Sequence, residues 1–259
     1  MNGICIDVFS GFEYDELLPM IKNIGFDGFF TDHETANSPE KMAHVRNLAD
    51  KLRLEYETSH ATIPGCDTIW SDQEIGEEYL DVLMRNIDNC HANSVPILVV
   101  HVQPYVLTAS LELGLERLDR AVKYAKAKNV KIAFENINSA EFLFAVMDYF
   151  KDDDNVGFCY DCGHEAFYTP DVRYLEKLGD RLICTHLHDN NKTYDEHLIP
   201  FDSDIDFDLI CDELRACKYQ GNITLELHYL HDKYKGVSKY EFLQKSFDAA
   251  NKLKNKING

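Results

Sequence analysis

A chain of 259 residues, 45% hydrophobic and 27% charged, is long enough to bury its own core without disulfides or a structural metal. Its 45 acidic residues against 26 basic ones give a formal charge of −19, which argues against gripping nucleic acid through phosphates, because that needs Lys and Arg in excess. Eight cysteines show no secreted disulfide spacing, and no apolar run approaches the roughly 20 residues that span a bilayer.

The first segment, MNGICIDVFSGF, lacks a basic stretch followed by a long apolar run, so no signal peptide is expected and the chain is placed in the cytoplasm. From there, short apolar β-rich runs alternate with longer segments of helical spacing. In chain order the runs are ICIDV (4–8), DGFFT (27–31), LEYETS (54–59), PILVVH (96–101), VKIAFE (130–135), VGFCYD (156–161), LICTHL (182–187) and ITLEL (223–227). Between the fourth and fifth, Leu111, Leu115, Leu118 and Val122 fall on one helical face with charges opposite. Strand then helix, eight times, implies parallel strands joined by crossover helices. Several runs are apolar throughout, as strands covered on both faces require. An open doubly wound sheet would show a Gly-rich phosphate turn after an early strand, and no G-x-G-x-x-G occurs. The expected fold is therefore a single-domain (β/α)₈ TIM barrel.

In such a barrel the C-terminal ends of the strands converge on one mouth, where catalytic groups gather. Six strands place a metal-competent or acid/base side chain there or nearby: His60, His101, Glu135, Asp161, His186 and Glu226. Each alone is unremarkable, since a single strand-end Glu is usually solvated and a single His usually hydrogen-bonded in the core. Several carboxylates around one mouth repel, and a bound cation is the simplest neutraliser. Cys159 and Cys162 form the one C-x-x-C, and its place at a strand favours ordinary buried thiols over a redox or zinc knuckle.

Around these residues the sequence resembles the xylose-isomerase-like barrel superfamily, which holds sugar isomerases and epimerases together with endonuclease IV. The resembling pieces are F-E-N at Glu135, Y-D-C-G-H from Tyr160 to His164, H-L-H-D-N from His186 to Asn190, D-E-H from Asp195 to His197, and L-E-L at Glu226. The resemblance implies that Glu135, Asp161, His186 and Glu226 hold one divalent metal. Mn²⁺ comes first, with Mg²⁺, Co²⁺ or Zn²⁺ as alternatives for a mostly oxygen donor set. It also implies that Glu135 and Glu226 move protons as the catalytic pair. His60, His101, His164 and His188 are assigned to the substrate, together with Glu141 and Lys192. Lys192 stands where such epimerases use an arginine, and keeps the charge without the fork.

Endonuclease IV takes further zinc ligands at positions matching His60, His101, His164, Asp195 and His197, all present here. After D-E-H, however, relatives read P-G-x-G and this chain reads Pro200-Phe201-Asp202-Ser203. Glycines permit positive φ and close backbone approach, so their loss predicts a reshaped loop that misplaces Asp195 and His197. Acidic loops such as DIDFD (204–208) and KDDDN (151–155) further oppose DNA. Phe9, Trp70, Tyr105 and Phe167 are candidates to pack on the apolar face of a sugar or, equally, to cap the barrel core.

The expected function is a metal-dependent isomerase or epimerase of a small sugar, acting by proton transfer through an enediolate. No phosphate-gripping turn is evident, which favours an unphosphorylated substrate. The alternatives are an endonuclease IV-like zinc phosphodiesterase on abasic DNA, a dehydratase or lyase on a keto-sugar or inositol derivative, and a non-catalytic barrel subunit. A small sugar is the expected partner, with no nucleic acid and no membrane, and self-association into a homo-oligomer is compatible with the family.

Overall fold

The computed structural model describes residues 3–104 and 109–259. Its strands are β1 (Ile4–Val8), β2 (Gly28–Thr31), β3 (Glu55–His60), β4 (Ile97–Val102), β5 (Lys131–Asn136), β6 (Val156–Asp161), β7 (Leu182–His186) and β8 (Ile223–Leu227). They fall within one residue of the sequence expectation at every end. They form one eight-stranded sheet in the order β7-β6-β5-β4-β3-β2-β1-β8. A parallel bridge from Leu187 to Leu225 joins its two ends, and the fold is the (β/α)₈ barrel. β1, β6 and all but one residue of β5 are buried, as a sheet covered on both faces demands.

The chain divides into two compact units, one of Met1–Phe30, Val45–Tyr56 and Tyr160–Gly259, the other of Thr31–His44 and Glu57–Cys159. In the first, β1 pairs in parallel with β8 and puts Asp7 beside Glu226. In the second, β4 and β5 run in register with His101 beside Glu135. Neighbouring residues of a parallel pair point to the same face, so this register brings each chemical pair together.

Helices are started by local side-chain chemistry. Ser110 and Ser139 accept from Leu113 N–H and Phe142 N–H at the heads of Leu111–Ala127 and Ala140–Tyr149. Ser238 and Glu241 form a reciprocal capping box at the head of Lys239–Asn258. Such caps satisfy donors that a helix start leaves orphaned.

All eight cysteines are free thiols, and only Cys217 is not buried. No described helix is long and apolar enough to cross a membrane. Of the two places open to Trp70, the structure takes the core. The side chain is 0% exposed, meets Phe142 edge-to-face at 5.0 Å, and lies so close to Gly114 that a Cβ there would fall 2.0 Å from its ring. Its indole is core, because the 3-10 turn Cys66–Trp70 folds it inward over the helix Leu111–Ala127. Tyr105 lies outside the described residues.

Candidate metal centre

Asp161, the last residue of β6, does two jobs. As N-cap of the helix Cys162–Tyr168 its Oδ1 accepts from His164 N–H at 2.7 Å. Its two oxygens also face Nε2 of His188 at 3.1 and 3.2 Å. Asp161, His186 and His188 are all 0% exposed. His186 ends β7 and stacks on Phe30 at 4.6 Å; Glu226 on β8 puts Oε2 3.7 Å from His186 Nδ1. That gap is too long for a hydrogen bond. It is close to the roughly 3.4 Å between two donors bonded at about 2.1 Å to one tetrahedral ion. Asp161, His186 and Glu226 each bring a ligand atom within 4.8 Å of the others. Two carboxylates and an imidazole converging in this way form a donor set that fits a divalent cation.

A second gathering lies beside it. Ligand atoms of His164, His188, Asp195 and His197 lie within 4.8 Å of one another. Asp195 bridges two imidazoles, with Oδ2 3.3 Å from His164 Nε2 and Oδ1 3.5 Å from His197 Nε2. The rings of His188 and His197 stack at 3.7 Å. Burial alone would raise the Asp195 carboxyl, but hydrogen bonds from His164 and His197 hold it well below the usual range. Burial pulls His197 down, while the Asp195 hydrogen bond and the charges of Glu226, Asp195 and Asp161 lift it to about 9.

The expectation that the missing glycines misplace Asp195 and His197 is overturned by this geometry. A two-strand bridge explains why. Asp189 and Leu198 exchange both backbone hydrogen bonds, at 2.8 and 2.9 Å, and so close the loop that carries Asp195 and His197. The buried Asp189 carboxylate accepts from the N–H groups of Asn190, Ser203 and Ile205. Phe201 adopts φ 74° itself, supplying the positive φ that a glycine would take, with its ring under the Lys252 ammonium at 3.5 Å. His197 is pinned just past the end of β8, where His228 N–H donates to its carbonyl at 2.9 Å.

In the other unit, His60, His101 and Glu135 form a third gathering with ligand atoms within 4.8 Å. Nε2 of His60 and of His101 lie 3.1 and 3.2 Å from the same oxygen, Oε2 of Glu135. The imidazoles meet edge-on at 4.4 Å, and Glu135 is wholly buried.

Glu141 is exposed in the first turn of its helix. Lys192 is exposed with φ 62°, and lines a cavity of about 150 Å³ with Cys162, Glu165, Arg173 and Asp206. That cavity lies along the helix Cys162–Tyr168 at residues other than His164. Phe9, 44% exposed, meets His197 edge-on at 4.9 Å and stacks on His228 at 5.2 Å. Asp189 and Asn190 were legible only as letters of the H-L-H-D-N string. Their work is backbone bracing: the Asn190 amide donates to Gly163 O, and its carbonyl oxygen accepts from Lys192 N–H.

Residues 18–250 match the sequence profile of the xylose isomerase-like TIM barrel family, and the chain belongs to that family. A curated relative, uncharacterized protein y4fM of Sinorhizobium fredii, is 34% identical over 161 residues, covering 57% of this chain and 52% of the relative. A probable endonuclease 4 of Mycoplasma mycoides is 26% identical over 145 residues, 49% of this chain and 50% of the relative. The chain thus spans about half the length of these two relatives. Among solved structures, D-psicose 3-epimerase of Clostridium cellulolyticum H10 superposes with TM-score 0.80 at 14% identity, covering 98% of this chain and 99% of that one. The 3-keto-D-glucoside 4-epimerase YcjR of E. coli gives 0.71 at 19%, covering 98% of each. At these identities the likeness establishes the fold.

Proposed function

We propose that this member of the xylose isomerase-like TIM barrel family is a metal-dependent epimerase or isomerase of a small sugar. The observation that carries the reading is the convergence of buried Asp161 and His186 with the half-buried Glu226 in an oxygen-rich set. Glu135, at the end of β5, is the fourth ligand of this reading, and Mn²⁺ is the ion such a donor set favours, with Mg²⁺, Co²⁺ or Zn²⁺ as alternatives. The epimerases that share the fold support a sugar as substrate. A homo-oligomer in the cytoplasm is the form we assign to the enzyme.

When bound, the metal supplies Lewis-acid stabilisation of negative charge on neighbouring substrate oxygens. The chain's residues do the rest. One of Glu135 and Glu226 takes the proton from the carbon next to the substrate carbonyl. The other returns it, to the opposite face for epimerisation or to the neighbouring carbon for isomerisation. His188, held by Asp161, and His164, held by Asp195, present imidazoles that orient substrate hydroxyls. His60 and His101 fix the orientation of Glu135, whose Oε2 both contact. The test is turnover of a ketose panel in D₂O with Mn²⁺-loaded protein. Deuterium at the carbon beside the carbonyl is the expected result, and unlabelled product removes both glutamates from proton transfer.

One observation favours a second reading. Two further donor groups, His164/His188/Asp195/His197 and His60/His101/Glu135, stand ready for additional ions, as an endonuclease 4-like zinc phosphodiesterase on abasic DNA would need. Nicking of an abasic duplex at low salt decides for it. Failure to nick, together with sugar turnover, decides for the epimerase.

A further inference from the structure

Strands β3 to β8 each supply a side chain weighed above as a donor, and β1 supplies none. Its penultimate residue is nonetheless a carboxylate, Asp7, only 2% exposed. Parallel pairing sets Asp7 beside Glu226 of β8, and such partners share a face of the sheet about 4.8 Å apart. On its other side β1 pairs with β2, placing Ile6 beside Phe29. One step further in that register comes Phe30, whose ring stacks on His186 at 4.6 Å. Asp7 therefore stands between a carboxylate that converges on His186 and the ring that backs it.

Asp7 is not itself a donor. It joins none of the gatherings of three or more ligand atoms within 4.8 Å among the described residues. The Tyr14 hydroxyl, at the head of the helix Tyr14–Ile24, donates to its Oδ1 at 3.3 Å, which aims the carboxylate without bringing it onto the donor set. Two neighbouring carboxylates repel while no cation lies beside them, and a multivalent ion at one of them attracts both. Burial strengthens the effect, because salt and water screen a buried charge far less than an exposed one.

From this register, and resting on the metal reading above, we propose that Asp7 is an outer carboxylate of the centre. It touches no ion, and its charge raises the affinity of Asp161, His186 and Glu226 for a multivalent cation.

The experiment titrates Mn²⁺ by calorimetry and Tb³⁺ by luminescence, at one pH, into metal-free wild-type protein and variants. Asp161→Asn marks which binding event belongs to this centre, since that event should vanish in it. Asp7→Asn keeps the shape and loses the charge, and should bind Mn²⁺ about tenfold more weakly. For Tb³⁺ the loss should be about thirtyfold, because the Coulomb attraction grows in proportion to ion charge. Tyr14→Phe keeps the carboxylate charge and should stay within about threefold of wild type for both ions. Metal-free Asp7→Asn should melt within a few degrees of wild type, which separates charge from fold. Asp7→Ser, smaller and also uncharged, carries the comparison if the asparagine chain does not fold. Unchanged affinity in the uncharged variant, or an equal loss for the two ions, overturns the proposal. So does an equal loss in Tyr14→Phe, which would make Asp7 a brace. Wild-type protein that binds neither ion sinks the metal reading and this inference together. Wild type that binds both, with Asp7→Asn unchanged, sinks the inference alone.

Discussion

His164 and Asp195 meet as imidazole and carboxylate, Nε2 to Oδ2 at 3.3 Å, with His197 on the other carboxylate oxygen. That group sets three imidazoles around one carboxylate, whereas Asp161 and Glu226 bring two carboxylates to His186, with His188 against Asp161 as well. A metal should therefore bind first and most tightly at the latter. Elemental analysis after exhaustive dialysis should give one ion per chain, lost in Asp161→Asn and retained in Asp195→Asn. Three zinc ions per chain would install the nuclease reading instead.

Glu135→Gln and Glu226→Gln should each lower the rate by about 10³-fold or more, because each change removes a metal ligand and a proton carrier together. Chelation should abolish turnover and Mn²⁺ or Co²⁺ should restore it. Full activity in chelated protein, with metal absence verified, would end the mechanism.

Two glycines give opposite tests. A Cβ on Gly163 would fall 1.9 Å from the His188 ring, so Gly163→Ala should push that imidazole off Asp161 and weaken metal binding at least tenfold, with a melting shift of only a few degrees. A Cβ on Gly114 would strike the Trp70 ring, far from any ligand in sequence. Gly114→Ala should cost about 1–3 kcal/mol of stability through overpacking, read by denaturant unfolding, with metal content unchanged. Fluorescence of Trp70, the single tryptophan, should be blue-shifted and indifferent to any sugar.

The strands could be read from the sequence because a strand buried on both faces writes itself as a continuous apolar run. The donor residues were legible because each lies at or beside the end of such a run, as Glu135 closes VKIAFE and Asp161 closes VGFCYD. What escaped was side-chain direction off the strands. Trp70 could face the mouth or the core on sequence alone, and the turn beneath it folds it into the core. The loss of glycine at 201 looked like displacement, yet φ is a property of the backbone that Phe can adopt when packing and hydrogen bonds on both sides over-determine it.

Asp189→Asn should test that over-determination. The amide keeps one oxygen for Asn190 and Ile205 N–H groups but gives Ser203 N–H no acceptor. An orphaned buried donor costs roughly 1–3 kcal/mol, measurable by chemical denaturation, and Asp195 and His197 should broaden in NMR as the loop loosens. Unchanged stability would show that the bridge to Leu198 alone suffices.

Thiol chemistry gives an independent check on burial. Desolvation pushes the Cys66 and Cys90 thiols up to about 12, leaving almost no thiolate at pH 8. Iodoacetamide at that pH should modify Cys217 first, read by peptide mass, with the other seven protected until the chain is unfolded. Rapid labelling of Cys159 or Cys162 would contradict the packing around β6.

The segment from Ile199 to Ser203 is gripped from two directions. Asp189 holds it from the β7 side. From the other, the Tyr234 hydroxyl accepts from Ile199 N–H and donates to Asp202, which also pairs with Lys245. Such a clamp makes the segment modular. Its side chains other than that of Asp202 can be exchanged, for instance by placing glycine at 201 and 203, while the neighbouring histidine and aspartate keep their positions. The chain thus offers a place where ligand preference can be re-engineered without rebuilding the centre that would do the chemistry.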